Sequence, residues 1–563
     1  MKHTITIFFA AAVLVSCSLL DPDPQIITSG NYYENEKEVQ YGLAGVYGAM
    51  SSMDFYGNTY SLLYSNTDDL CYFNRKLTTS DMIEYNMHSA SSADVYNMWY
   101  RIYQGIKNAN SFMAAVEGSE FDEDGRYFNE ARFLRAYYHF ILAQAWGDVP
   151  LRDRVVADYT EAPCAASSQY KVLRWAADEM EECVKFYEEL YWENQDYEKE
   201  DLELAPSRIC KNAVHGILAR VYLFMAGETV TLEGDDTRED CYRKAMHNAK
   251  TVIDSEDHKL NPDYSQVFIN MISDKHDQDY REPIWEVEFR GDRTSADFWS
   301  NGQIGSTLGL ESGGAKTNYS EFNCNFAYGK YNGSLKLWDL YWKTDRTEDE
   351  NEAKELTDKR QLWNMPPYNY EKDGINRNYY KYYKTNAEKD PLAAAAIRNC
   401  GKFRREVIYE GQRTTKSTRT SINFPLLRYS DVLLMYAEAS NEVSGVTQEA
   451  FDAVKAVRDR AGIKTCDMTS YDKESFRKLI RNERGRELCF ESLRRYDLIR
   501  WGIYVQEMQN YKYWVLDDRW VRSEDMALFA SRMGGNIKPM HIVLPIPSVE
   551  LGVNGLLKQH PLW

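Results

Sequence analysis

The sequence predicts a mainly α-helical fold, a scaffold of tetratricopeptide-like helix pairs carrying two long aromatic insertions. Three observations predict it. Apolar residues recur at helical spacing over long stretches on both sides of the middle of the chain. The arrangement helix, short break, helix recurs as a unit. Between these blocks the composition shifts to Gly, Ser, Asn and aromatic residues without a helical period.

The elements follow in order. Over Val95–Val116, Trp99, Ile102, Tyr103, Ile106, Ala109 and Phe112 have helical spacing. Over Asn129–Trp146, Phe133, Tyr137, Ile141 and Ala145 form one i+4 row and Leu134, Tyr138 and Leu142 another, with Arg132 and Arg135 beside the stripe. Gly147 and Pro150 end that helix. Tyr170–Tyr191 is a third helix rich in acids. Asn212–Met225 is followed, after an acidic loop, by Tyr242, Ala245, Ala249 and Ile253, and this pair resembles a tetratricopeptide unit. Ile284–Phe289 alternates like a strand. Residues 290–334 and about 366–424 are the insertions, the second holding Tyr368, Tyr370, Tyr379, Tyr380, Tyr382 and Tyr383. Leu433, Tyr436, Ala437 and Ala439, then Phe451, Val454, Val457 and Ala461, repeat the helix-pair layout without a strict period.

The first residues read as an address. Lys2 and His3 precede an apolar run from Ile5 to Leu14, the pattern of a secretory signal and too short to span a bilayer. Leu14-Val15-Ser16-Cys17 looks like a bacterial lipobox, in which Cys17 is acylated and becomes the first residue of an anchored mature protein. Asp21 and Asp23 resemble the surface-export signal of Bacteroidetes lipoproteins. The division expected is 1–16 signal peptide with lipobox, 17–230 N-terminal region and 231–563 C-terminal region. The other nine cysteines include no C-x-x-C pair and indicate no disulfide framework, although an exported chain leaves room for one or two disulfides.

Charge and motifs exclude several functions. The net charge of −19 argues against a grip on nucleic acid. There is no G-x-S-x-G, H-E-x-x-H, Walker loop or G-x-G-x-x-G, and the 9 histidines show no metal-ligand spacing. No cofactor is expected. Glu120–Gly125 begins like a calcium loop, but Ala131 stands where the closing Glu belongs, so it reads as an acidic turn. Ile480–Gly502 is dense in Arg and Glu. Glu483, Arg486, Glu487 and Arg494 read as a buried ion-pair lattice fixing one helix on another, in preference to a catalytic or anion-binding set.

A family pattern runs through these elements. Its residues are Leu20-Asp21-Pro22 and Tyr32-Tyr33, then Ala131–Tyr137 (ARFLRAY) continuing to Trp146–Leu151 (WGDVPL). Leu427–Leu434 (LRYSDVLL), Tyr436–Ala439 (YAEA), Val457–Gly462 (VRDRAG), Glu483-Arg484, Arg495–Gly502 (RYDLIRWG), Leu544–Pro547 (LPIP) and Gln559–Pro561 (QHP) follow in order. The chain resembles the SusD/RagB family of Bacteroidetes outer-membrane lipoproteins over essentially its whole mature length. Lys455 stands where Asn is common, and the tail carries His560 and Leu562-Trp563 in place of Asn and Gly-Tyr. The resemblance implies a SusD-like helical fold with an irregular ligand-binding half and no catalysis. It implies surface-exposed capture of a glycan and delivery to a SusC-like TonB-dependent transporter, the protein resting on the outer membrane by its lipid anchor.

The family's site is built from the segment after the first helix and from the middle insertions. Here these supply Asp69, Tyr72, Asn74, Arg75, Tyr85 and His88 from the first, and Trp299 and Tyr328 from the second, with Phe322 and Phe326 nearby. Aromatic faces suit the C–H surface of sugars, and amides, carboxylates and guanidinium groups suit their hydroxyls. Trp299, in a Gly- and Ser-rich loop, is the expected stacking platform. The alternatives are a RagB-type peptide binder, a glycoside hydrolase using an unrecognised carboxylate pair, and a tetratricopeptide adaptor.

Overall fold

The structure, a computed structural model, describes residues 33–290, 302–311, 327–342, 358–368, 398–405, 418–515 and 524–563. Helices α1 (Glu36–Tyr47), α2 (Ala93–Val116), α3 (Arg126–Trp146), α4 (Gln169–Glu193), α5 (Lys211–Met225) and α6 (Arg238–Asp254) each pack on the next. The row then continues with α7 (Tyr429–Ser444) on α6 and α8 (Gln448–Arg460) on α7. Residues 255–428 are thus inserted into a continuous stack, which is why no strict period survives in the sequence.

Local chemistry sets the helix ends. Thr237 and Asp240 form a reciprocal capping box at the start of α6, satisfying N–H groups that the helix leaves unpaired. Asn35 and Ser168 cap α1 and α4 with their side-chain oxygens. Gly147 stops α3 at φ 77°, a left-handed conformation that costs glycine little. The turn from Glu120 to Gly125 is a helix cap as well. The Asp122 oxygens accept N–H bonds from Tyr127 and Phe128 at 2.9 and 2.8 Å.

Helix α3 differs from its predicted one-sided stripe. It is buried on nearly every side between α2, α4 and the C-terminal segment, where Trp146 Nε1 donates to the Pro545 carbonyl at 3.0 Å. Burial all round demands partners for its polar groups. Arg135 donates to Asn110 Oδ1 and pairs with Glu179, and His139 Nδ1 lies 2.9 Å from the Arg135 carbonyl. The strand expected over 284–289 is β2 (Pro283–Val287), antiparallel to β4 (Phe424–Arg428). Its alternation does not mark a solvent face, because all five residues are buried. A second two-stranded sheet joins β1 (Cys71–Phe73) to β3 (Tyr331–Gly333), with Tyr72 opposite Asn332. It ties the segment after α1 to the first insertion.

The Arg- and Glu-rich region is a buried ion-pair lattice. Helix Lys473–Leu488 carries Glu483 and Glu487 into the interior. Glu487 meets Arg360, Arg428 and Arg460 at 2.9, 3.1 and 2.6 Å. Glu483 meets Arg360, Arg458 and Arg486 at 2.7, 3.2 and 3.0 Å. Burial alone would raise the Glu483 pKa, but the three guanidinium groups hold it down at about 2. Asp431 binds Arg484 at 2.7 Å and Arg220 at 2.6 Å, locking α7 to this helix and to α5. No disulfide joins the described cysteines, and Cys183, Cys210 and Cys489 are buried thiols. Among the described residues no helix is long and apolar enough to cross a membrane.

Candidate functional site

The segment after α1 enters the interior before it reaches the surface. Residues 59–64 form a fully buried π-helical turn, and Asn66, Thr67, Asp68 and Asp69 behind it are buried as well. Asp69 receives two hydrogen bonds from Arg494, at 2.8 and 2.9 Å, and pairs with Lys336 at 2.5 Å. Burial would raise its pKa, yet these two cations hold it well below the usual carboxylate range. Its neighbour Asp68 has no such pair, and burial followed by the Asp69 charge pushes it up to about 7. Tyr72 is buried and its hydroxyl accepts from Asn332 Nδ2 at 2.8 Å. His88 is buried against Tyr64, His541 and Trp563, ring centres 6.2, 5.3 and 5.5 Å away. Burial, then the nearby His541 and Arg495, keeps its pKa well below that of a free histidine.

These positions correct part of the expected site. Asp69, Tyr72, Tyr85 and His88 are structural groups beneath it, because each is enclosed by protein. An ion-paired interior carboxylate such as Asp69 has no oxygen to offer a sugar without breaking its own pairs.

The remaining residues converge. Asn74, just past β1, donates from its backbone to the Lys330 carbonyl at 2.8 Å. Its amide donates to the Gly329 carbonyl at 2.8 Å and to Asn332 Oδ1 at 2.7 Å. Arg75 donates to the carbonyls of Asn74 and Tyr328 and lies 3.8 Å from Glu311. Tyr85 is buried with its ring edge on Phe73, centroids 5.6 Å apart, and its hydroxyl donates to the carbonyls of Phe73 and Arg75. Burial raises the pKa of that hydroxyl, which keeps it a donor.

Above this support the surface opens. Tyr328 is 36% exposed, and the Lys330 ammonium lies 5.1 Å from its ring centre. The Arg75 and Glu311 side chains are 35% and 47% exposed. An exposed aromatic face flanked by a guanidinium, a carboxylate and an ammonium can stack on an apolar ring surface while exchanging hydrogen bonds with its substituents. Sequence reasoning missed Glu311, Lys330 and Asn332. No run or periodicity distinguishes them, and only the β1–β3 pairing brings them to Asn74. Trp299, Phe322, Phe326 and Cys17 lie outside the described residues.

Clefts also open elsewhere among the described residues, two of which are lined by aromatic and charged side chains. One of about 650 Å³ is lined by Tyr47, Tyr127, Arg208, Glu286 and Glu288. The other, about 410 Å³, runs between α2, the 150–163 loop and the helix Ser548–Val553, past Tyr100, Tyr159 and Glu550. Among the described residues no group of histidines, cysteines and carboxylates is arranged to hold a metal ion.

Comparison with known proteins fits this architecture. Residues 281–563 match the SusD family model, and residues 21–223 match a model described as starch-binding and associating with the outer membrane. A SusD-like protein of Formosa agariphila is 23% identical over 99% of this chain and 98% of its own. A SusD homologue of Bacteroides thetaiotaomicron is 25% identical with a TM-score of 0.78, covering 95% of this chain and 98% of that one. The surface glycan-binding protein A of Bacteroides uniformis shares the fold at 19% identity and a TM-score of 0.64, over 94% of this chain and 100% of its own. The two family models together span nearly the whole chain, and the overall fold agrees with them: the chain belongs to the SusD family.

Proposed function

We propose that this protein is a non-enzymatic lipoprotein of the outer membrane, anchored through Cys17 and facing outward, that captures a glycan and passes it to a SusC-like TonB-dependent transporter. The observation that carries the reading is the exposed Tyr328 ring beside Arg75 and Glu311, held on a rigid helical scaffold by the Asn74 and Asn332 amides. The family model's description and the name of the Bacteroides uniformis relative support the same class of ligand.

A glycan array followed by prolonged incubation tests the reading. The pure protein is expected to retain an oligosaccharide whose chain length stays unchanged by chromatography. New reducing ends, abolished by one carboxylate substitution, would place it among the hydrolases. The anchor is tested separately: Cys17→Ala should move the protein out of the membrane fraction, and an acylated, sedimenting variant would refute the lipobox.

A further inference from the structure

The site carries the opposite sign of charge from the chain around it. The sequence has 86 acidic and 67 basic residues, and several of its buried arginines are spent on carboxylates, as at Arg360, Arg428 and Arg484. Around Tyr328 the accounting reverses. Lys330 sits against the Tyr328 ring, part-buried, and has no ion-pair partner among the described residues. Arg75 spends its guanidinium on the backbone carbonyls of Asn74 and Tyr328 and has Glu311 only at 3.8 Å. A third base comes from the helix Glu524–Gly535, which packs on β1: Met533 Sδ accepts from Phe73 N–H at 3.1 Å, and Asn536 donates to the Tyr85 carbonyl at 3.0 Å. Arg532 is carried by that helix, one residue before Met533.

Two carboxylates face this cluster. Glu311 is half-exposed and distant enough to be a weak, solvated partner. Glu84 is buried, makes no ion pair among the described residues, and has its pKa raised by burial and then by Asp94, which disfavours its charged form. The Lys330 pKa is lowered, by burial first, with Arg75 adding to the effect and Glu84 opposing it. A part-buried ammonium without a counter-ion is costly in the empty protein and is relieved by an anion that arrives with the ligand.

We propose that this surface selects an acidic glycan: a pyranose ring lies on Tyr328 while its carboxylate or sulfate group supplies the counter-ion that Lys330 lacks and a closer partner for Arg75 than the solvated Glu311. The inference rests on the glycan-binding reading and narrows it to a substrate class. Uronic acids and sulfate esters share the required chemistry, a compact anion on a sugar ring.

Calorimetric titration with matched probes decides it. Oligogalacturonate is compared with its methyl ester, and dextran sulfate with dextran, at low and at high salt. At least one acidic probe should bind about tenfold or more tightly than its neutral partner. Which one does so identifies carboxylate or sulfate as the anion. The advantage should shrink in high salt, because partly exposed charges are screened. Lys330→Met should abolish the advantage and Lys330→Arg should restore it, with neither variant melting below the parent. Equal binding of acidic and neutral probes, or an acid preference untouched by Lys330→Met, overturns the inference. A neutral glucan bound in preference to every acidic probe overturns it too and leaves the glycan-binding reading intact. Binding of no probe by folded protein contradicts both.

Discussion

The interior of this protein is held by side chains that rarely occupy an interior. Glu487 is buried among Arg360, Arg428 and Arg460, and removing its charge leaves three guanidinium groups short of a partner. Glu487→Gln, nearly isosteric, is expected to cost about 3–5 kcal/mol by denaturant unfolding. Tyr328→Ala, at the surface, should stay within about 0.5 kcal/mol. An unchanged midpoint for Glu487→Gln would remove the lattice as a determinant of stability. The sequence showed that Glu483, Arg486, Glu487 and Arg494 need partners, because so many charges at helical spacing cannot all face water. It could not show which partners. Arg360, Arg428 and Asp69 come from distant parts of the chain and meet these residues only in the folded state. The same limit applied at the site: Asp69 looked available for a ligand because Arg494 lies in another segment altogether.

At the scale of elements, the helix pairs were legible and their continuity was not. The i+4 rows through Phe133–Ala145 and the alanines of the later pairs mark helices that the structure contains within a few residues. That α7 stacks directly on α6, with residues 255–428 inserted between them, has no local signature. Leu134 is fully buried in α3, and Leu134→Ala should cost about 2–5 kcal/mol by chemical denaturation. Asp431→Asn tests the joint between α7, α5 and the helix Lys473–Leu488. It leaves Arg220 and Arg484 facing a neutral amide, so it should lower the melting temperature more than a substitution at an exposed charge such as Glu449. Equal melting shifts would mean that the helices are held by apolar packing alone.

For the whole molecule, acid should be tolerated and then suddenly destructive. Asp68 and Glu286, each raised to about 7 by burial first, hold protons that the unfolded chain releases, so their contribution to stability grows as pH falls from 7 towards 4. His139, His215 and His541, lowered by burial to about 3, 4 and 4, act in the opposite sense: the unfolded chain takes up protons below about 6.5. These groups oppose one another, and stability is expected to vary little between pH 7 and 5. Below about pH 4 the carboxylates of Glu483, Asp431 and Glu438 dominate. Burial opposes their ionisation, but their arginines keep all three down at about 2, so the stability they confer is lost as pH falls through that range. A urea-unfolding series should therefore show a plateau and then a steep fall, whereas a steady decline from pH 7 would mean that the histidines outweigh the carboxylates. The binding surface proposed at Tyr328 is tested most directly by calorimetric titration of a bound oligosaccharide into the parent and Tyr328→Ala proteins. The predicted result is a loss of about 1–3 kcal/mol in binding free energy with an unchanged melting temperature. Undiminished affinity in a folded Tyr328→Ala protein would contradict the assignment of the site.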